Sequence, residues 1–295
     1  MATAEAAFFC HATESALHTF QVARGLRGSG VCDETTWLAI VEASWKLGDR
    51  LLVLTSPNTR GDDVAELQTL LARLGFDCGR PDGILGPATA RALLDFQANC
   101  GLPADGVCGG TTVQALRRVS GQTGTGPGVA AVREREFLRR GMSSLAACRI
   151  AVGQLGGLST LTRILARELR LAGATVISFD EPDVFEQARS TNHFGAHAYV
   201  GFESSADTIA VAHYYQVPTF ESAGGRALAE HIVDGLAGVP GMSPVATGMR
   251  LPILRETKMP AVLCVIGPVR TSIDHAPSIA AGVLSALTVW ASPAG

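Results

Sequence analysis

One glycine-rich turn in this sequence resembles the entrance of an active site. In the stretch "RIAVGQLGGLST", residues 149–160, an apolar run ends at Gly153, Gly156 and Gly157, and a helical pattern follows. Turns between a strand and a helix often bind a phosphate or a metal, because backbone N–H groups and the start of a helix converge there. This turn contains no acid, base or nucleophile of its own. Its chemistry therefore depends on side chains that other elements bring to it.

A dinucleotide site is one interpretation of the turn. A strand, the glycines, a helix, a second strand and then Asp180 follow the order of a Rossmann unit. The glycine spacing does not match G-x-G-x-x-G, however, and Asp180 lies farther from Gly153 than that motif requires. The turn is therefore a weak signal for a dinucleotide.

Three histidines and one cysteine are the other candidates for chemistry. His193 and His197 have the i, i+4 spacing of a metal-binding pair on a helix, but Gly195 and the start of a strand interrupt that helix. A position on the surface or at a strand edge is the alternative for both. His213 and Cys264 lie within strand patterns, which favours packing over catalysis.

The elements that must position these residues alternate between strand and helix from residue 149 onward. Strand patterns cover 149–153, 174–179, 197–202, 208–216 and 260–267, and helical patterns cover 158–171, 183–194, 222–236 and 278–290. Such alternation predicts a layered α/β domain with a mostly parallel sheet. The charged segment "VREREFLRR" at 132–140 is predicted to lead into this domain as a helix.

The first half of the chain contains an internal repeat. Residues 13–40, "TESALHTFQVARGLRGSGVCDETTWLAI", and residues 89–116, "TARALLDFQANCGLPADGVCGGTTVQAL", are identical at nearly half of their positions, which indicates a duplicated module. An amphipathic segment at 61–76 precedes the second copy, and together they predict three helices joined by tight turns. The first copy is incomplete, because residues 1–12 cannot supply the first of these helices. Either the true start of the protein lies upstream, or this copy is a remnant that packs against its neighbour.

Residues 61–116 resemble the peptidoglycan-binding domain of many cell-wall hydrolases, in the segments "VAELQTLLARLGF", "DGILGPAT", "ALLDFQ" and "GLPADGVCGGTT". The resemblance implies a glycan ligand. Asp82 and Asp105, from its two Asp-Gly turns, are candidate ligand-binding residues, together with Arg255 from the second half. A scaffold that no longer contacts glycan is the alternative, because a family resemblance does not carry ligand affinity.

Residues 149–291 resemble the zinc-dependent N-acetylmuramoyl-L-alanine amidases, in stretches that stand in that family's order: "RIAVGQLGG", "AGATVISFD", "AHAYVGFESSAD", "IAVAHYY" and "LPILRETKMPAVLCVIG". The resemblance implies hydrolysis of the bond between muramic acid and the peptide stem. It also implies a zinc ion with three protein ligands, two His and one Glu, and a second Glu that takes the proton.

The residues that this resemblance assigns to zinc chemistry are replaced. Leu155 stands at the first His position, Glu203 at the second His position and Val265 at the catalytic Glu position. The Glu ligand has no counterpart, because Leu158–Arg163 offers no carboxylate. Leucine has no lone pair to donate and valine cannot accept a proton, so we expect no zinc, no other cofactor and no catalytic residue. An active zinc amidase is the alternative.

Composition and charge narrow the possible classes of protein. With 47% hydrophobic and 17% charged residues, the chain can bury cores and is not predicted to be disordered. A net charge of −3, with no basic excess in either half, argues against nucleic-acid binding. No window has the length and apolarity of a membrane span, and residues 1–9 lack the basic start of a secretory signal. Seven cysteines without a CxxC motif predict buried thiols in a reducing cytosol.

The predicted organisation has four parts: a partial peptidoglycan-binding-like module at 1–48, a full module at 61–119, a linker at 120–130 and a degenerate amidase-like domain at 131–295. The expected localisation is the cytoplasm, where the ligands would be peptidoglycan fragments or precursors. Peptidoglycan-binding-like modules followed by an amidase-like domain with replaced zinc ligands resemble the arrangement of a cell-wall regulator. This resemblance implies a non-catalytic regulator of cell-wall synthesis that acts through protein contacts. Its expected protein partner is a cytosolic precursor enzyme, such as the one that commits UDP-N-acetylglucosamine.

Overall fold

The structure is a computed structural model that describes residues 8–121, 128–140 and 144–292. The chain divides into two compact units, Met1–Val129 with Val217–Thr219, and Ala130–Gln216 with Phe220–Gly295. Residues 122–127, in the middle of the predicted linker, lie outside the described residues. No helix in the described part of the chain is both long and apolar enough to cross a membrane.

The first unit is helical. Its helices are α1 (His11–Ala23), α2 (Glu34–Ser44), α3 (Asp62–Arg73), α4 (Pro87–Asn99) and α5 (Gly110–Ser120). The last three are the helices predicted for the complete copy, and they enclose one core. That core contains apolar residues from each helix: Val64, Leu67 and Leu71, then Leu93 and Phe96, then Val113 and Leu116. In the repeat, α1 and α2 correspond to α4 and α5.

The second unit is an α/β sheet with helices on its faces. Its strands are β1 (Arg149–Gln154), β2 (Thr175–Ser178), β3 (Ala198–Ser204), β4 (Ile209–Val217), β5 (Phe220–Glu221), β6 (Val245–Met249) and β7 (Ala261–Gly267). The remaining helices of the chain are α6 (Val129–Arg140), α7 (Ser159–Leu171), α8 (Val184–Phe194), α9 (Ala223–Leu236), α10 (Pro252–Glu256), α11 (Val269–Asp274) and α12 (Ala276–Trp290). All of the strands and helices that the sequence predicts are present in the predicted order, together with short elements that it does not predict.

The sheet is mixed and mostly parallel, which confirms the predicted class. Strands β2, β1, β3 and β7 are neighbours in that order and run parallel, and β4 joins β7 antiparallel. One face packs against α7, α9 and α12 in a single apolar core that includes Val200 and Cys264. Cys264 is therefore a core residue, as its apolar strand pattern predicts. The helices α9 and α12 approach closely at Gly235 and Gly282, where a side chain on either glycine would collide with the other backbone.

The elements β5, β6, α10 and α11 of the second unit are not predicted by the sequence patterns. Strand β5 is only two residues long. Strand β6 has the sequence "VATGM", in which an alanine and a glycine, both depleted in strands, weaken any strand pattern. The helices α10 and α11 are five and six residues long, too short to show a period of 3.6 residues.

The cysteines are free thiols in different environments. Cys10 and Cys32 are exposed, so the prediction of buried thiols is wrong for these two. Cys32 corresponds in the repeat to Cys108, which is fully buried in the core of the complete copy. Among the described residues, the first copy has no helix equivalent to α3, whose apolar residues share a core with Cys108 in the complete copy.

Candidate functional site

The carboxyl edge of the sheet brings together the three residues predicted for the zinc site. Leu155 follows β1, Glu203 is near the end of β3, and Val265 is in β7. The Leu155 N–H donates to the Phe202 carbonyl at 2.8 Å, and Glu203 is paired with Val265 in the β3–β7 register. Leu155, Glu203 and Val265 therefore lie side by side across the sheet, at the same level along three adjacent strands.

Glu203 is the only titratable residue of these three, and its surroundings disfavour charge. Leu155 and Val265 are aliphatic, and Val211 of β4 lies directly opposite Val265. Glu203 is half-buried, and this burial raises the pKa of its carboxyl group above the ordinary value. At these three positions, the edge thus offers one carboxyl group, that of Glu203, beside two aliphatic side chains.

A metal ion needs more donors than this edge supplies. Zinc in proteins is held by three or four Cys, His, Asp or Glu ligands. Within the described residues, no group of three or more such side chains is arranged to hold a metal ion. The donor set at the carboxyl edge does not fit a zinc ion.

The side chain of Gln154 fills the glycine turn after β1. The Gln154 Nε2 amide donates to the Asp180 carbonyl, and the Gly156 N–H donates to Gln154 Oε1 at 2.8 Å. Gly157, with a φ of 74°, adopts the left-handed conformation that lets the chain enter α7. Because Gly156 already bonds to Gln154, it does not offer the free N–H that a bound phosphate requires. This geometry further weakens the dinucleotide interpretation.

The first glycine of the turn packs against a buried glutamine on α8, which leaves no room for a side chain at that position. Gln187 is 1% exposed; its Nε2 donates to the carbonyls of Gln154 at 2.8 Å and Glu181 at 2.7 Å. Its Oε1 accepts the Tyr199 hydroxyl at 2.7 Å. A Cβ on Gly153 would lie 2.0 Å from this Oε1. Gly153 is therefore explained by packing against Gln187, a signal that the strand pattern does not contain.

The paired histidines lie at the opposite, amino edge of the sheet. Helix α8 ends just after His193, and Gly195, with a φ of 63°, is its left-handed cap. His197 precedes β3, and its Nδ1 accepts the Arg149 N–H at 3.1 Å. Burial, and then the nearby Arg149 charge, lower the pKa of His197. The helix break that the sequence predicts is confirmed, and neither histidine lies at the carboxyl edge.

Arg255 is also distant from the carboxyl edge. It lies in α10, and its guanidinium pairs with the Glu256 carboxylate. The Asn192 side chain at the end of α8 donates to the Glu256 carbonyl at 2.8 Å, which places α10 near the amino edge. The structure therefore does not bring Arg255 together with Glu203.

Asp82 closes a tight turn in the helical unit. The Gln68 amide, on α3, donates to Asp82 Oδ1 at 3.1 Å, to the Ile84 carbonyl at 3.0 Å and to Thr89 Oγ1 at 3.0 Å. The Gly83 N–H donates to Gln68 Oε1 at 2.8 Å. One buried glutamine thus joins a helix, a turn and the start of the next helix.

Asp105 has the same place in an equivalent arrangement. The Gln97 amide donates to Asp105 Oδ1 at 2.9 Å, to the Val107 carbonyl at 3.0 Å and to Thr112 Oγ1 at 3.3 Å. Bonds from the Val107 N–H and the Gln97 amide lower the pKa of Asp105. A third arrangement surrounds Gln21, with Ser29 in place of the aspartate.

These glutamines are the residues whose role the sequence patterns miss. The repeat shows the glutamine of A-L-x-x-F-Q in both copies, but only the structure shows that it holds the following turn. The Oδ1 atoms of Asp82 and Asp105 are engaged in these turns, which gives both carboxylates a structural role. Ligand binding by either aspartate stays a prediction.

Comparisons with known proteins agree with the two-part organisation. Residues 60–116 match the family described as "Putative peptidoglycan binding domain". The chain is 30% identical over 315 aligned positions to the N-acetylmuramoyl-L-alanine amidase CwlM of Mycobacterium tuberculosis, which covers 93% of this chain and 77% of that protein. It is also 48% identical over 56 residues, 19% of this chain, to the spore cortex-lytic enzyme of Bacillus cereus, of which the match covers 22%.

Among solved structures, the catalytic domain of the N-acetylmuramoyl-L-alanine amidase CwlV from Paenibacillus polymyxa aligns with 48% of this chain and 97% of its own length. The TM-score is 0.39 and the identity 17%. The amidase AmiC2 of Nostoc punctiforme aligns with 49% of this chain and 96% of its own length, with a TM-score of 0.39 and 16% identity.

Proposed function

This chain belongs to the family of the N-acetylmuramoyl-L-alanine amidase CwlM, and from that premise we propose that it is a non-catalytic member of the family. It combines a peptidoglycan-binding domain with an amidase-like α/β domain. In this proposal it binds peptidoglycan or its precursors and regulates peptidoglycan synthesis through protein contacts.

One observation carries the proposal: aliphatic side chains flank Glu203 at the carboxyl edge of the sheet. The resemblance to zinc amidases assigns a zinc ligand to the position of Leu155 and a proton acceptor to that of Val265. A zinc enzyme of this type needs three ligands and an open position at which water loses a proton. Glu203 alone cannot hold the ion, and the valine cannot take the proton.

We also propose that the protein is located in the cytoplasm and acts on a cytosolic protein partner. The seven cysteines are free thiols, which supports a reducing compartment. In such a compartment the chain would meet peptidoglycan precursors and the enzymes that make them. The proposed partner is one of these enzymes, and the proposed action is a change of its activity through contact.

An active zinc amidase is the second candidate. The name of the relative in Mycobacterium tuberculosis favours it, because that protein is called an amidase. A half-buried carboxyl group at the carboxyl edge, that of Glu203, also favours it, since one ligand of a metal site would remain.

An assay of muropeptide release distinguishes the two candidates. The full chain is incubated with peptidoglycan and added zinc, with a known zinc amidase as the positive control. We expect no release of peptide stems by this chain. Release that the substitution Glu203→Ala abolishes would establish the amidase and overturn the proposal.

Binding to glycan is tested separately by sedimentation of the full chain with purified peptidoglycan. We expect the chain to appear in the pellet, and the variant Gln97→Leu, which disturbs the turn at Asp105, to pellet less. Recovery of the wild type in the supernatant alone would contradict the glycan-binding part of the proposal.

A further inference from the structure

Helix α9 begins at a buried serine that is followed by two buried glycines. Ser222 is the N-cap and is 1% exposed, and its Oγ accepts the Gly225 N–H at 3.1 Å. The first N–H groups of a helix have no partner within the helix, and they favour a negative charge in front of them. Gly224 and Gly225 have no side chain that could cover these groups. The start of α9 therefore presents donors that a carboxylate from another element can reach.

Glu134 of α6 supplies that carboxylate. Its Oε1 accepts the Ser222 hydroxyl at 2.6 Å and the Gly224 N–H at 3.3 Å. Glu221, which directly precedes Ser222, is paired with Arg226 instead, with 3.2 Å between its Oε1 and Nη1 of the arginine. The negative charge in front of α9 thus comes from a residue 88 positions earlier in the chain. Hydrogen bonds to an ionised acceptor are stronger than those to a neutral one.

The neighbouring residues of α6 bury little apolar surface. Ala130 and Ala131, about one turn before Glu134, are half-buried and have a single methyl group each. Arg133 and Arg135 are exposed. A helix of twelve residues is marginal in water by itself, so α6 depends on its contacts with the α/β unit. Within residues 130–136, the Glu134 carboxylate rather than apolar burial holds α6 to the start of α9.

We propose that α6 alternates between a docked and a released state, and that the contact of Glu134 with Ser222 and Gly224 controls this equilibrium. In the docked state α6 covers the start of α9. In the released state α6 loses its helix, and the Ser222 hydroxyl and the Gly224 N–H are open to water. Residues 129–140 then add to the chain that connects the two units, so the contact sets how much unstructured chain links them.

Two substitutions of Ser222 form a matched pair. Ser222→Asp keeps a side-chain oxygen for the Gly225 N–H but places a negative charge against Glu134. Ser222→Asn has the same size, also caps a helix, and keeps a neutral N–H donor for Glu134. The two variants share any crowding at this buried position and differ in the charge that Glu134 meets. Glu134→Gln removes the charge from the α6 side.

Hydrogen exchange read by mass spectrometry on the full chain measures the state of α6. We expect Ser222→Asp and Glu134→Gln to accelerate exchange of residues 129–140 at least about tenfold over the wild type, and Ser222→Asn to change it less than about twofold. Exchange in the peptides of β1 and β3 should not change. Trypsin provides a second measurement: cleavage after Arg133 and Arg135 should be faster in the same two variants, because a helix must open before a protease can cut it.

Three results would overturn the proposal. The first is unchanged exchange of residues 129–140 in Ser222→Asp or in Glu134→Gln. The second is equal acceleration in Ser222→Asp and Ser222→Asn, because the size of residue 222 rather than its charge would then displace α6. The third is acceleration that extends to β1 and β3, which would indicate unfolding of the whole unit. These measurements use neither zinc nor peptidoglycan, so failure here is distinct from failure of the proposed function.

Discussion

Replacement of Gln68 by leucine should destabilise the helical unit locally. The side chain is 1% exposed and makes four hydrogen bonds. Gln68→Leu leaves the buried Gly83 N–H without its acceptor, at a cost of about 1–3 kcal/mol, and each of the other three bonds contributes about 0.5–1.5 kcal/mol. Leucine has nearly the same volume, so no large cavity adds to this loss. We expect the free energy of opening to fall by at least about 2 kcal/mol.

Hydrogen exchange read by mass spectrometry on the full chain measures this change. A loss of about 2 kcal/mol accelerates exchange about 30-fold in peptides that cover α3 and α4. Thr69→Ala, on the next residue, is the control, because the Thr69 hydroxyl bonds only within the helix, to the Ala65 carbonyl at 2.8 Å. It should change the free energy by less than about 0.5 kcal/mol. Equal acceleration in both variants, or acceleration in the peptides of β1 and β3, would refute the structural role of Gln68.

Three further predictions concern single residues. Gly153→Ala should lower the free energy of unfolding of the α/β unit by about 1–3 kcal/mol, because the added Cβ overpacks against Gln187. Calorimetry should therefore show a lower thermal midpoint, and an unchanged midpoint would contradict that contact. Asp105 has a lowered pKa in the fold, so its carboxylate stabilises the helical unit above its unfolded pKa of about 3.9; that stability is lost as pH falls through the folded pKa. Melting curves between pH 7 and pH 3 should therefore depend less on pH in Asp105→Asn. Glu203 has a raised pKa, so the wild type should lose stability relative to Glu203→Gln as pH rises through its folded pKa; the opposite trend in melting midpoints would show that the fold favours the carboxylate.

The α/β unit is predictable from sequence wherever its elements are long. The strand of residues 260–267 and the helix of 222–236 are recovered within two residues of their ends, because each presents a continuous apolar stripe. Strand β6 is not recovered, since its place in the sheet comes from pairing with β4 rather than from its own residues.

The candidate site is predictable in its residue types but not in its contacts. The resemblance to zinc amidases selects Leu155, Glu203 and Val265, and the parallel sheet brings them to one edge. The role of Gln154 in filling the glycine turn is not predictable, because a glutamine at the end of a strand has no distinctive pattern. The same holds for Gln187, whose contact with Gly153 joins residues far apart in the chain.

The duplicated module shows a third limit of prediction from sequence. The repeat predicts that both copies share one fold, and α1 and α2 form as expected. The alignment of the two copies does not reveal that Trp37 is exposed where Val113 is buried, because the two helices have the same pattern in both copies. Within the part of the chain that the structure describes, a helix in the position of α3 is present in the complete copy alone.

The most direct test of the non-catalytic proposal is the zinc content of the full chain. The protein is purified after growth with added zinc, and zinc per chain is measured by plasma mass spectrometry, with a known zinc amidase prepared in parallel. The aliphatic residues around Glu203 predict far less than one zinc ion per chain, and no difference between the wild type and Glu203→Ala. Close to one zinc ion per chain, lost in Glu203→Ala, would contradict the proposal.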